Sequence, residues 1–143
     1  MSGQVVIISA PSGTGKSIYI KKMAAQQQAS GKIILVCRAD KIQNLMYSYI
    51  RRHNTDNLGS LSTLLGISDI YVFEDIDIYL SGKEFTQKEF ARIIIETAHE
   101  GKQLYLTGID IPKRVEHFFE MINSYYPDMR FYTSVPRPAS DKN

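Results

Sequence analysis

Tryptophan is missing from these 143 residues, and cysteine occurs once, as Cys37. One thiol cannot close an intrachain disulfide, and its place at the end of the run IILVC predicts a buried side chain. No apolar run approaches the roughly 20 residues that cross a bilayer. Val5 to Ala10 is too short for a signal-peptide core and has no basic leader, so the sequence reads as cytoplasmic, with no membrane partner. Excess charge is lacking as well. Seventeen basic against fifteen acidic residues leave +2, too little to argue for nucleic acid on its own. Internal repeats are absent, and the only low-complexity stretch is Gln26-Gln27-Gln28. What is present is a globular composition, 43% hydrophobic and 22% charged, in a length that builds one domain with a real core.

The chain is organised around VVIISAPSGTGKS, Val5 to Ser17. The β-branched run from Val5 to Ile8 reads as a short buried strand. Ala10-Pro11-Ser12-Gly13-Thr14-Gly15-Lys16-Ser17 then turns the chain and opens a helix, with the spacing of a phosphate-binding loop and Ala10 where its first glycine often stands. Glycines at 13 and 15 let backbone N–H groups curl around a polyphosphate. Lys16 reaches the β- and γ-phosphates, the Ser17 hydroxyl can ligate Mg²⁺, and the helix aims its positive end at the same anion. Ser12, Gly13, Thr14, Gly15, Lys16 and Ser17 are therefore the candidate cofactor-binding residues, for ATP or ADP with Mg²⁺.

Strands and helices alternate along the rest of the chain. A helix over 16–29 stops at Gly31, and a second strand covers 33–37. A helix from 39 to about 52 places Ile42, Leu45, Met46 and Tyr49 on one face, and a polar loop follows at 53–59. One or two helical turns at 60–65 end at Gly66, and a third strand spans 70–73. Thr86 with Glu89 three residues on predicts a capping box for a helix running to about His99. A fourth strand covers 103–107, Pro112 opens a helix to about Tyr126, and a last strand spans 129–134. This is an α/β fold, a doubly covered parallel sheet. A phosphate-loop strand, an acid-ended strand and a strand ending in Thr107 predict the additional-strand P-loop NTPase class, with strand order 5-1-4-3-2. Residues 1–135 form the domain, and 136–143 a loose tail.

The third strand, Ile70 to Phe73, ends on Glu74 and Asp75, with Asp77 two further on. An apolar strand ending in carboxylates downstream of a phosphate loop is a Walker B arrangement, in which acids hold Mg²⁺ and polarise water. Ser17, Glu74 and Asp75 are the candidate metal ligands, and Glu74, Asp75 and Thr107 the candidate catalytic residues. Which of the two acids faces the metal stays open at this point.

From Ser68 onward the sequence resembles the AAA+ core of the DnaA/Hda replication-initiator family. The resemblance is carried by Asp69, Asp75, the run Gly82-Lys83-Glu84, Thr86, Gln87, Glu89, Phe90, Gly101-Lys102-Gln103, Thr107, and Pro112-Lys113. It implies an ATP/Mg²⁺-binding module that assists or regulates replication initiation, with replication proteins or another AAA+ subunit as partners. It further implies single-stranded DNA contact at Lys83, to which the basic Arg51 and Arg52 are added. The sequence departs from the family pattern in three places. Glu74 replaces the first Walker B aspartate, Ile109 stands where a sensor aspartate is expected, and Ser124-Tyr125-Tyr126 replaces the segment that carries an arginine finger, leaving Arg130 or Arg114 as substitutes. The family's adenine-gripping segment, helical lid and duplex-binding domain have no counterpart in residues 1–143, so the resemblance implies the nucleotide-binding core alone, with little intrinsic hydrolysis. The alternative is a self-sufficient enzyme, a stand-alone P-loop NTPase or small kinase.

Overall fold

The structure, a computed structural model, describes residues 3–51 and 60–136. In chain order the elements are β1 (Gln4–Ser9), α1 (Lys16–Ala29), β2 (Ile34–Cys37), α2 (Ala39–Arg51), α3 (Leu61–Leu65) and β3 (Ile70–Phe73). They continue with α4 (Ile76–Leu80), α5 (Glu84–His99), β4 (Gln103–Gly108), α6 (Ile111–Arg114), α7 (Glu116–Tyr125) and β5 (Arg130–Tyr132). The sheet order is β2-β3-β4-β1-β5, which is the expected 5-1-4-3-2 read from the other edge, and every pairing is parallel. The polar loop expected at 53–59, Arg52 and residues 137–143 of the expected tail lie outside the described residues.

Alternation along the strands divides the core in two. Val5 and Ile7 of β1, Tyr71 and Phe73 of β3, and Leu104 and Leu106 of β4 face one side, where α2 to α7 pack. Phe90 of α5 is central there, with its ring edge-on to Phe73 at 5.2 Å and tilted against Phe118 at 5.3 Å. Ile70 and Val72 face the other side with Ile20 and Met23 of α1, and Val6, Ile8 and Ala10 form a neighbouring cluster under Tyr19, Tyr105 and Tyr132. Cys37 is buried as expected, and desolvation pushes its thiol above the ordinary range.

Two helix boundaries differ from the sequence expectation. The long helix begins at Glu84 with Lys83 as its N-cap and has no side-chain cap, so Thr86 lies inside the first turn. Gly82 at φ 74° makes the turn that starts the helix early, and Gln87 N donates to Lys83 O at 2.8 Å as an ordinary helical bond. Glu89, rather than closing a capping box, pairs with Arg92 at 3.2 Å. The helix expected from Pro112 to Tyr126 breaks at Val115, whose φ/ψ of −130°/55° separates α6 from α7. The break leaves the first N–H groups of α7 without partners of their own. Gln87 supplies them, its Oε1 accepting from His117 N at 3.0 Å and Phe118 N at 3.3 Å, while its Nε2 donates to Leu80 O at 2.8 Å. One buried amide thus holds the end of α4 and the start of α7 to α5.

Gln87→Leu keeps the volume but orphans these groups, and an unsatisfied buried polar group costs roughly 1–3 kcal/mol. The substitution is expected to lower unfolding stability by about 2–4 kcal/mol, read as a shift in urea midpoint at unchanged slope. A loss below about 0.5 kcal/mol would show that the amide is not what joins α7 to α5.

Candidate nucleotide-binding site

All the nominated residues of the phosphate loop and the acidic strand end lie at the carboxyl edge of the sheet, where the switch in strand order opens a crevice in α/β folds. The loop from Ala10 to Gly15 joins β1 to α1. Gly13 and Gly15 both take positive φ, 76° and 95°, and Gly15 is the N-cap of α1. A Cβ at either position would meet nothing within 4 Å, so backbone conformation rather than crowding requires glycine there. Thr14 Oγ1 donates to Pro11 O at 2.6 Å and closes the turn. Lys16 is the first helical residue, and its Nζ donates back to the carbonyls of Ala10 and Pro11, the latter at 3.1 Å. The ammonium therefore lies across the loop, while Ser12 and Ser17 are exposed.

Across β4 from the loop, β3 ends in the two acids. Glu74 is buried, its N–H donates to Cys37 O at 2.9 Å, and its Oε1 stands 3.6 Å from Arg38 Nη2. Asp75 is half-buried in the left-handed conformation, φ 59° and ψ 46°, and forms the N-cap of α4. Thr107 Oγ1 accepts from Asp75 N at 3.2 Å, so the nominated threonine holds the acid's backbone from the neighbouring strand. The candidate donor set for a metal, one hydroxyl and two carboxylates, is all hard oxygen and fits Mg²⁺. The loop's left-handed glycines, its lysine and a helix N-terminus fit a nucleotide polyphosphate.

Three residues that the sequence reading left unassigned organise this edge. Asp77, buried in α4, accepts from Ile109 N through Oδ1 and from Arg114 Nη1 through Oδ2, each at 3.2 Å. Gly108 makes room for it, since a Cβ there would come within 2.7 Å of Asp77 Oδ1. Ser9 Oγ accepts from Ile111 N at 2.8 Å and ties the end of β1 to the start of α6. Arg38 is the third, and its signal was available, because order 4-3-2 sets the end of β2 beside the acids.

The residues nominated for DNA lie on separate elements. Lys83 at the head of α5 stacks on Tyr79 with Nζ 3.7 Å from the ring centroid, and Arg51 at the end of α2 lies 5.4 Å over Tyr47. Beside Lys83, Glu84 is held below the ordinary carboxylate range by its hydrogen bond from Lys88 and then by His117. A cavity of about 650 Å³ opens here, lined by Gly82, Glu84, Asp110, Lys113, Arg114 and His117 among others. Of the substitute fingers, Arg114 is paired with Asp77. Arg130, at the start of β5, faces the Gln4 amide at the opposite edge of the sheet, whose oxygen accepts from its Nε at 2.8 Å when the amide is turned to satisfy both groups. Tyr125 is exposed near the end of α7.

A family model described as the bacterial DnaA ATPase domain matches residues 4–128. The chain belongs to that family. Solved DnaA structures share the fold. A replication initiator DnaA bound to AMPPCP and single-stranded DNA superposes at TM-score 0.68 and 19% identity, over 94% of this chain and 41% of that one. Domain III of DnaA from Thermotoga maritima gives 0.68 and 17%, over 94% and 55%, and AMPPCP-bound DnaA from Aquifex aeolicus gives 0.67 and 20%, over 90% and 39%. This chain thus spans about two fifths to just over half of the DnaA chains it matches. No helix among the described residues is long and apolar enough to cross a membrane.

Asp77→Ala removes the acceptor of Ile109 N and the counter-ion of Arg114 together, and is expected to cost about 2–3 kcal/mol in chemical denaturation. Asp77→Asn retains an oxygen for Ile109 and should cost less than half as much. Equal losses for the two variants would mean that the charge, not the backbone bond, carries the contact.

Proposed function

We propose that the chain is an ATP/Mg²⁺-binding module of the DnaA type that assists or regulates replication initiation through contacts with DNA or with another AAA+ subunit, and that it hydrolyses ATP little by itself. The observation that carries the reading is the loop from Ala10 to Ser17, with Gly13 and Gly15 left-handed and Lys16 folded across it. In this reading Ser12 to Lys16 wrap the phosphates, and Ser17, Glu74 and Asp75 supply oxygen to the metal. Asp75, its backbone fixed by Thr107, orients water. Bound Mg²⁺ would neutralise charge between the β- and γ-phosphates. The cytoplasm is the compartment that suits such a module.

The second half of the proposal is the partner. The DnaA relative bound to single-stranded DNA supports a strand as ligand. Lys83 with Tyr79, and Lys113 on the neighbouring cavity wall, offer phosphate contacts beside an aromatic face. Arg51 and Arg52 remain secondary candidates. Weak hydrolysis follows from the arginines: Arg114 and Arg130 are engaged within the chain, and Tyr125 occupies the finger's aligned place. A finger supplied in trans is worth about 10³–10⁵ in rate.

Lys16→Ala should abolish binding of an ATP analogue with Mg²⁺ while leaving the melting profile in place. Calorimetric titration decides it, and unchanged affinity would remove the nucleotide assignment. Phosphate release by the chain alone should stay near background across a wide range of protein concentration. Turnover that climbs with protein concentration would reveal a finger working between copies and overturn the proposal of weak hydrolysis.

A further inference from the structure

Arg38 follows β2 directly. In the β2–β3 register Cys37 stands opposite Phe73, so Arg38 and Glu74 leave neighbouring strand ends side by side. The main chains are joined there by the 2.9 Å bond from Glu74 N to Cys37 O, and the side chains meet at 3.6 Å. The partners are unequal. The Arg38 side chain is 65% exposed and that of Glu74 only 9%. A carboxylate buried to that degree requires a compensating positive charge. The guanidinium provides it, from the side of the sheet's outer strand and not from the phosphate loop.

We propose that Arg38 is the resident counter-ion of Glu74 and sets the Mg²⁺ requirement of the site by competing with the metal for that carboxylate. The proposal rests on the reading of this edge as an Mg²⁺-nucleotide site. Mg²⁺ gives up its water reluctantly and is held by one or two carboxylates plus phosphate oxygen. A metal drawing on Glu74 repels the guanidinium beside it. Arg38 is mostly solvated already and can turn out to water at small cost, so the competition is modest. Arg38 makes the one ion pair with Glu74 among the described residues, so without it neutralisation of the buried carboxylate falls to the metal. Arg38 is therefore a positioning residue, tuning how much free Mg²⁺ is needed before nucleotide is held tightly.

The test is calorimetric binding of a non-hydrolysable ATP analogue across a Mg²⁺ titration, for wild type, Arg38→Gln, Arg38→Lys, Glu74→Gln and the double variant R38Q/E74Q. Arg38→Gln should lower the half-maximal Mg²⁺ concentration by about two- to fivefold, the scale of a partly exposed ion pair. Affinity measured in chelator should not change, which a merely structural role would not predict. Arg38→Lys should stay close to wild type, and E74Q and R38Q/E74Q should be indistinguishable from each other. An unchanged or raised Mg²⁺ requirement in Arg38→Gln overturns the proposal while leaving the nucleotide site standing. So does an effect of equal size on the Glu74→Gln background. Wild-type protein whose analogue binding ignores Mg²⁺ would overturn the metal reading itself, and this inference with it.

Discussion

The parallel pairing of β1 with β4 is the constraint on which the rest depends. It runs unbroken from Gln4 opposite Gln103 to Ser9 opposite Gly108, and Ala10 N extends it by donating to Gly108 O at 3.0 Å. Two loops therefore leave the sheet from the same level, the phosphate loop after Ser9 and the Ile109-Asp110 turn after Gly108. The second loop is then held by two side chains, to the end of β1 by Ser9, whose Oγ accepts from Ile111 N, and to α4 by Asp77, which accepts from Ile109 N. A slip of one residue would send Val5 and Ile7 to the wrong face and carry the loop's lysine away from the edge. The face that carries Val5, Ile7, Leu104 and Leu106 is fully buried under the helices, which sets the register.

The two faces are covered unequally. One carries α2 to α7 and the largest buried rings, whereas α1 contributes only Ile20 and Met23 as buried residues to the other. Tyr19, Ile34, Val36 and Tyr105 pack there but remain half-buried. The helix that carries Lys16 and Ser17 is thus the most lightly anchored of the long helices. That suits the role proposed for its first turn, since regions with few buried contacts open first.

The first three strands could be read from the sequence because buried parallel strands announce themselves as near-continuous apolar runs, VVII, ILVC and IYVF, and the order followed from the phosphate loop, the acids and Thr107. The glycines at 31 and 66 marked helix ends correctly because each takes positive φ. The capping box at Thr86 misled because Gly82, at positive φ, turns the chain and starts the helix at Glu84, leaving Glu89 to pair with Arg92. The break at Val115 was invisible because its compensation comes from a residue 28 positions earlier, not from a breaker in the segment. At the site, the strand-loop-helix course from Val5 to Ser17 was legible, and the place of Arg38 could have been read from the strand order, which sets the end of β2 beside the acids. The roles of Asp77 and Ser9 were not legible, since each acts on a partner that only the folded register brings near.

Asp75 and Asp110 close β3 and β4 in the same way, each left-handed, each the N-cap of a short helix without using its side chain as a cap. A left-handed residue other than glycine costs on the order of 1–2 kcal/mol, less for aspartate than for bulkier side chains. A lineage selected only to withstand heat would exchange both for glycine and relax the two strand ends together. The costs of that exchange differ between them. Position 110 would surrender an exposed carboxylate on a cavity rim, whereas position 75 would surrender one of the paired acids beside Thr107. Equal backbone strain at two equivalent bends thus makes one position open to evolutionary repair and the other a standing debt of the chemistry assigned to it.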